Sequence, residues 1–127
     1  MANLTYLDFA LDELSYFADA YNRGLRYNAM VSQAQRICEC YLKHIIVKNL
    51  ANNSDVMMQH NLRTIYEFMT DKLHIDLTDI RVDIMCLNNF YTHTRYPGRD
   101  AFMATPEDVT AAYNAIANIV KFLQRYL

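Results

Sequence analysis

The chain has 127 residues, enough for one domain with a single hydrophobic core and no need of disulfide staples. Charged residues make up 20% of it and leave a formal net charge of -2, with a pI near 6.0. No global basic field therefore draws nucleic acid, and any phosphate binding has to come from a local cluster.

Two glycines and two prolines supply too little turn chemistry for a β protein. Five helical stripes stand out instead. In the first, Leu4, Leu7, Leu11, Leu14, Ala18 and Tyr21 step by three and four, and Arg23-Gly24 ends the helix with a residue suited to the left-handed C-terminal position. The same N-terminal stretch carries Asp8, Asp12 and Glu13, which interrupt the apolar run a secretory leader needs. A second helix is expected over 28–49, with Ala34, Ile37, Cys38, Tyr41, Leu42 and Ile45 on one face. The segment "LANNSDVMMQH" reads as a loop. Asn61 then reads as the N-cap of a third helix carrying Leu62, Ile65, Tyr66, Met69 and Leu73.

The fourth helix is expected to begin near Asp76 or Thr78 and to align Leu77, Ile80, Ile84, Leu87 and Tyr91. "FYTHTRYPGRDAF", residues 90–102, breaks it, because Pro97 biases Tyr96 away from the α region and Gly98 relaxes the turn. "TPEDV" restarts the chain: Thr105 caps, Pro106 takes the first helical position, and Glu107 and Asp108 complement the helix dipole. Val109, Tyr113, Ile116, Val120, Leu123 and Leu127 form the last stripe. The fold expected is all-α, a single domain over 1–127, built as an antiparallel up-and-down bundle of four to five helices.

Second apolar stripes occur on the fourth helix (Val82, Cys86, Phe90) and on the first (Phe9, Tyr16). They fit helices placed centrally in the bundle, or a homodimer formed through helices one and four. Three cysteines, an odd number, and no apolar run of the ~18 residues that a membrane span needs make a cytoplasmic protein with reduced thiols the expectation.

Three groups of residues carry chemistry. Gln35, Glu39 and Lys43 follow at i, i+4 and i+8 on the second helix. Glu39 and Lys43 stand in the favourable ion-pair order, while a functional reading makes Lys43 a phosphate contact. His60 precedes a helix N-terminus whose free N–H groups favour anions, with Arg63 one turn in; alternatively His60 ties down the loop through a backbone carbonyl. Asn89 and His93 share a helix face at i, i+4, and Arg95, Tyr96 and Arg99 follow. Arg offers forked donors to phosphate and Tyr can stack on a base, although the same residues could simply pin the turn. Cys38 and Cys40 point about 200° apart on a helix, the histidines are scattered, and no glycine-rich phosphate loop occurs, so no metal and no cofactor are expected.

Three stretches in order resemble the HEPN domain family, the higher eukaryote and prokaryote nucleotide-binding domains. "AQRICECYLKHII", 34–46, is similar to the family's helix-two motif through Gln35, Glu39, Leu42 and Lys43. "HNLRTIYEF", 60–68, is similar to its His-Asp-Leu helix start, with Asn61 in place of Asp. "FYTHTRYPG", 90–98, is similar to its Tyr-x-x-x-Arg-Tyr-Pro-Asp element, with Gly98 in place of Asp. The resemblance implies a four- or five-helix bundle, often dimeric, and a link to nucleotides or RNA. It also implies partnership with a minimal nucleotidyltransferase in two-gene toxin–antitoxin systems. Some relatives are metal-independent ribonucleases with Arg, a polar residue, three others and His. Here "NNFYTH" places Asn88 where that arginine would stand, which removes the charge that would stabilise the scissile phosphate. The expectation is a noncatalytic module that binds a nucleotide or phosphate-bearing ligand, or docks a nucleotidyltransferase, through Lys43, His60, Arg63, Arg95 and Tyr96. The homodimer would form through Val82, Cys86 and Phe90. The runner-up is a degenerate ribonuclease using His93 with Asn88 and Asn89.

Overall fold

A capping box opens the first helix and another opens the last. Thr5 accepts from the Asp8 amide at 3.2 Å while the Asp8 carboxylate accepts from the Thr5 amide at 2.7 Å; Thr105 and Asp108 repeat the exchange at 3.2 and 2.9 Å. The reciprocal bond holds both carboxylates in use, and it draws the Asp8 carboxyl below its ordinary pKa. The computed structural model describes residues 3–49, 54–90 and 93–127. The helices are α1 (Tyr6–Asn22), α2 (Ala29–Asn49), α3 (Ser54–Met57), α4 (Leu62–Lys72), α5 (Arg81–Asn88) and α6 (Pro106–Leu123), and no strand occurs among the described residues. The short α3 falls within the segment expected to be loop, and a 3₁₀ turn over Thr78–Ile80 leads into α5.

Hydrogen bonds between elements set their directions. Tyr21 Oη, late in α1, meets Thr110, early in α6, at 3.1 Å, so those helices oppose one another. The Leu62 amide meets Asn88 at 2.8 Å, which brings the start of α4 to the end of α5. Asp83 and Asn118 join the start of α5 to the later part of α6. Asn28, just before α2, binds Ala104, just before α6, while Lys48 near the end of α2 reaches Leu127, so α2 and α6 run in the same sense. α5 therefore runs against both α4 and α6, and α4, whose N-terminus returns to the middle of α2, runs in the same sense as α2.

α2 is the axle of the bundle. It packs against α1, α4, α5 and α6, and Ala34, Ile37, Cys38, Tyr41, Leu42, Ile45 and Ile46 are all buried. Such a helix has little solvent-facing surface to give its polar residues, so Gln35, Glu39 and Lys43 are buried as well. Burial pushes the Cys38 thiol far up and the Cys40 thiol up to about 11, so neither is a thiolate at neutral pH.

Two apolar stripes sit differently from expectation. On α1 the core side is Ala10, Phe17 and Ala20, with Leu14 and Tyr21 at its margin, whereas Leu4 and Leu11 are 74% and 46% exposed. The two alanines let the backbone approach closely, and Phe17 and Tyr21 pack on the Tyr113 ring at 6.0 and 3.9 Å. Just beyond α5, Phe90, expected on the outer stripe, is 7% exposed, belongs to the chain's own core and packs on Phe102 at 6.3 Å. Val82 stays outside at 78% exposure, and Cys86 is half-buried. Tyr91, expected on the inner stripe of the fourth helix, lies outside the described residues.

The C-terminal ends of α1 and α4 show what closes a helix. Gly24 takes φ +88° after α1, and the Leu25 amide reaches back to the Ala20 carbonyl at 3.1 Å. After α4 the same left-handed position is held by His74 at φ +54°, with the Ile75 amide on the Met69 carbonyl at 3.2 Å. A side chain there crowds its own carbonyl. His74→Gly is expected to stabilise the protein by about 0.5–1 kcal/mol, since relief of that crowding exceeds the added freedom of the unfolded chain. A urea midpoint that falls in this variant would refute it.

Candidate functional site

The i, i+4, i+8 row on α2 becomes a closed polar core. Lys43, 2% exposed, donates to Glu39 Oε2 at 2.9 Å. Gln35, 1% exposed, donates to the His60 carbonyl at 2.9 Å and lies 3.4 Å from Glu39 Oε1. His60 Nδ1 stands 3.0 Å from Glu39 Oε2. The segment before α4 is thus fixed to α2 twice, once through the His60 backbone and once through its ring. Among the described residues no buried side-chain nitrogen or oxygen lacks a partner, which is the condition for tolerating charge in a low-dielectric interior. Instead of the phosphate contact expected of it, Lys43 is one half of a buried ion pair.

The N-terminus of α4 has spent the donors an anion would use. Asn61 Oδ1 accepts from the amides of Arg63 and Thr64 at 2.9 and 3.3 Å, as the capping motif predicts. Asn88 Oδ1 takes the Leu62 amide. Arg63 turns along the helix to Glu67 at 3.4 Å, an exposed i, i+4 pair of small energetic weight. Asn88, the residue at the arginine position of the ribonuclease-like motif, is therefore a cap for a neighbouring helix.

The 93–104 turn makes a second arrangement. Asn28 clamps it from the foot of α2: its amide donates to the Thr94 carbonyl at 2.8 Å, and its oxygen accepts the Ala104 amide at 2.6 Å. Thr94 is buried and donates to the Phe90 carbonyl at 2.6 Å, and the Phe102 amide closes the turn on the His93 carbonyl at 2.9 Å. The clamp leaves a concavity of about 480 Å³ faced by Asn28, His93, Arg95, Tyr96, Phe102 and Met103. A second, of about 370 Å³, lies across Arg95 and Tyr96 toward Ser32, Gln33 and Arg36 of α2. Arg95 and Tyr96 are shared by both hollows. The guanidinium carbon of Arg95 sits 5.8 Å from the Tyr96 ring centre, and Tyr96 is 66% exposed. Arg36, at the edge of the second hollow, donates from Nε to both Glu13 oxygens at 2.8 and 2.9 Å, and that pairing raises its pKa above the ordinary arginine value.

The residues singled out in the sequence thus fall into separate places. Lys43 and His60 meet on Glu39. Arg95, Tyr96 and His93 meet at the 93–104 turn. Arg63 and Asn89 stand exposed on α4 and just beyond α5. Lys43 lies seven residues past Arg36, about 10 Å further along the α2 axis, and is buried, so it does not enter the Arg95 hollows. Sequence reading missed Asn28, Thr94 and Phe102. Asn28 carries a signal in standing just ahead of a helix, but that pattern points to a local cap rather than to a loop 66 and 76 residues away.

The family model described as HEPN domain matches residues 5–126. The crystal structure of TT1696 from Thermus thermophilus superposes with a TM-score of 0.74 over 96% of this chain and 95% of that one. At 20% sequence identity that likeness establishes a common fold. No curated protein sequence matches the chain.

Proposed function

Since the chain belongs to the HEPN domain family, we propose that it acts as a noncatalytic module that holds a phosphate-bearing nucleotide at the 93–104 turn. The observation that carries this reading is the placement of Arg95 and Tyr96 on the shared wall of two adjoining hollows. Arg95 would fork onto a phosphate and Tyr96 or Phe102 would offer a face to the base. Asn28 presets the turn, so little ordering is required on binding. Lys43, His60 and Arg63 support the scaffold in this reading rather than touch the ligand.

Calorimetry against nucleoside mono-, di- and triphosphates tests it. Binding by wild type is expected, with Arg95→Ala weaker by about tenfold or more, the usual consequence of losing a charge-assisted hydrogen bond. Absence of heat with every nucleotide, or an unaltered Arg95→Ala isotherm, removes the proposal. Incubation with RNA in EDTA separates it from the ribonuclease alternative: cleavage abolished in His93→Ala would favour catalysis.

A further inference from the structure

At the other end of α2 lies a surface the nucleotide reading does not use. α1 exposes Phe9 (56%) and Tyr16 (70%) seven residues apart, on one side of the helix, and Leu4 (74%) leads into them. Between Leu4 and Phe9 and the C-terminal turns of α2 runs an apolar groove of about 450 Å³, with Tyr6, His44 and Val47 completing its walls, and Tyr16 lies beyond its end on the same side of α1. A smaller hollow of about 230 Å³ continues past Leu4 and Phe9 to Asp8 and Asp12. Single exposed apolar side chains are ordinary, but Leu4, Tyr6, Phe9 and Val47 are contiguous around one groove, and a contiguous apolar patch marks an interaction surface.

The charge around the groove identifies the cover. Tyr6–Asn22 contains Asp8, Asp12, Glu13 and Asp19 and no lysine or arginine. Glu13 is neutralised by Arg36 and Asp19 by Arg23, but Asp8 and Asp12 flank the groove with no lysine or arginine of the described residues paired to them. A second copy laying its α1 on this one would set those carboxylates against their equivalents. Anionic lipid and nucleic acid meet the same repulsion. A helix with one apolar stripe, bordered by lysine or arginine, meets an apolar floor and an acidic rim. We infer that the α1–α2 groove is a docking site for a basic amphipathic helix of a partner protein, with Phe9 in the groove and Tyr16 further along the same side of α1 as apolar anchors and Asp8 and Asp12 as the charged border. The two anchors are two turns apart, about 10 Å, matching side chains at i and i+7 of a helix laid alongside α1.

The probe is a pair of fluorescein-labelled designed helical peptides with identical leucine stripes, one flanked by lysine and the other by glutamate. Fluorescence anisotropy against the full chain is expected to show binding of the lysine peptide, at least about tenfold tighter than the glutamate peptide and weakened by salt. Phe9→Ser and, separately, Asp12→Lys are each expected to reduce that binding about tenfold or more. Both positions are exposed, so circular dichroism should show an unchanged helix content, and Tyr16→Ser provides an independent anchor variant. Equal binding of the two peptides, binding by neither, or indifference to all three substitutions overturns the assignment. So does a wild-type dimer in sedimentation that Phe9→Ser dissociates, since a second copy would then be the occupant.

Discussion

Glu39→Ala is expected to destabilise the fold by about 3–5 kcal/mol in urea unfolding, the largest effect of any single substitution considered. The carboxylate accepts from Lys43 at 2.9 Å and stands 3.0 Å from the His60 ring, at a point where Lys43 is 2% exposed. Its removal leaves an ammonium ion buried without its counter-charge, and it releases the segment before α4. A small domain has a total stability of only about 5–15 kcal/mol, so this variant should populate unfolded chains at 37 °C. Lys43→Met is expected to cost less, because Glu39 keeps Gln35 and His60 as neighbours. The double change Glu39→Gln with Lys43→Met should recover part of the loss, since it removes both charges while nearly preserving volume. A Glu39→Ala variant within about 1 kcal/mol of wild type would show that the pair is hydrated, not buried.

Asn28→Asp should be the next most damaging, at about 2–3 kcal/mol, and its effect reaches function. The wild-type amide donates to the Thr94 carbonyl and its oxygen accepts the Ala104 amide. The carboxylate keeps the second bond but turns an acceptor toward an acceptor in the first, so a half-buried negative charge faces a carbonyl. Asn28→Ala loses both bonds without the repulsion and should cost somewhat less. In either variant the 93–104 turn is freed at one side, so the amides of Ala104 and Phe102 should exchange with deuterium faster than those of α2. Nucleotide affinity should fall in parallel, because ordering the turn then falls to the ligand. Unchanged exchange at Ala104 would mean that the turn holds itself without α2.

Periodicity and caps are local, and they were readable. Thr105, Pro106 and Asp108 announce α6 within four residues, and Asn61 announces α4 within three. Gly24 marks the end of α1, but His74 takes the matching left-handed place after α4, where the Met69–Ile75 hydrogen bond offsets the crowding of a side chain that glycine would avoid. Leu4 and Leu11 fit the first stripe by spacing alone, yet the bundle rotates α1 to bring Ala10 and Ala20 inward, because close approach to its neighbours needs small residues there. Phe90 fits an outer stripe on a continued helix. α5 ends at Asn88, and the chain then turns Phe90 into the core.

From the sequence by itself followed the all-α class, the positions of the long helices and the likeness of three ordered motifs to one family, because each depends on residues within a turn or two of one another. The fate of the charged groups followed only from tertiary structure. Glu39 finds His60 across 21 residues, Leu62 finds Asn88 across 26, and Asn28 finds Ala104 across 76. Whether a cation meets solvent, a ligand or a carboxylate is decided by how those helices pack, since burial and not residue type sets the cost of leaving it unpaired.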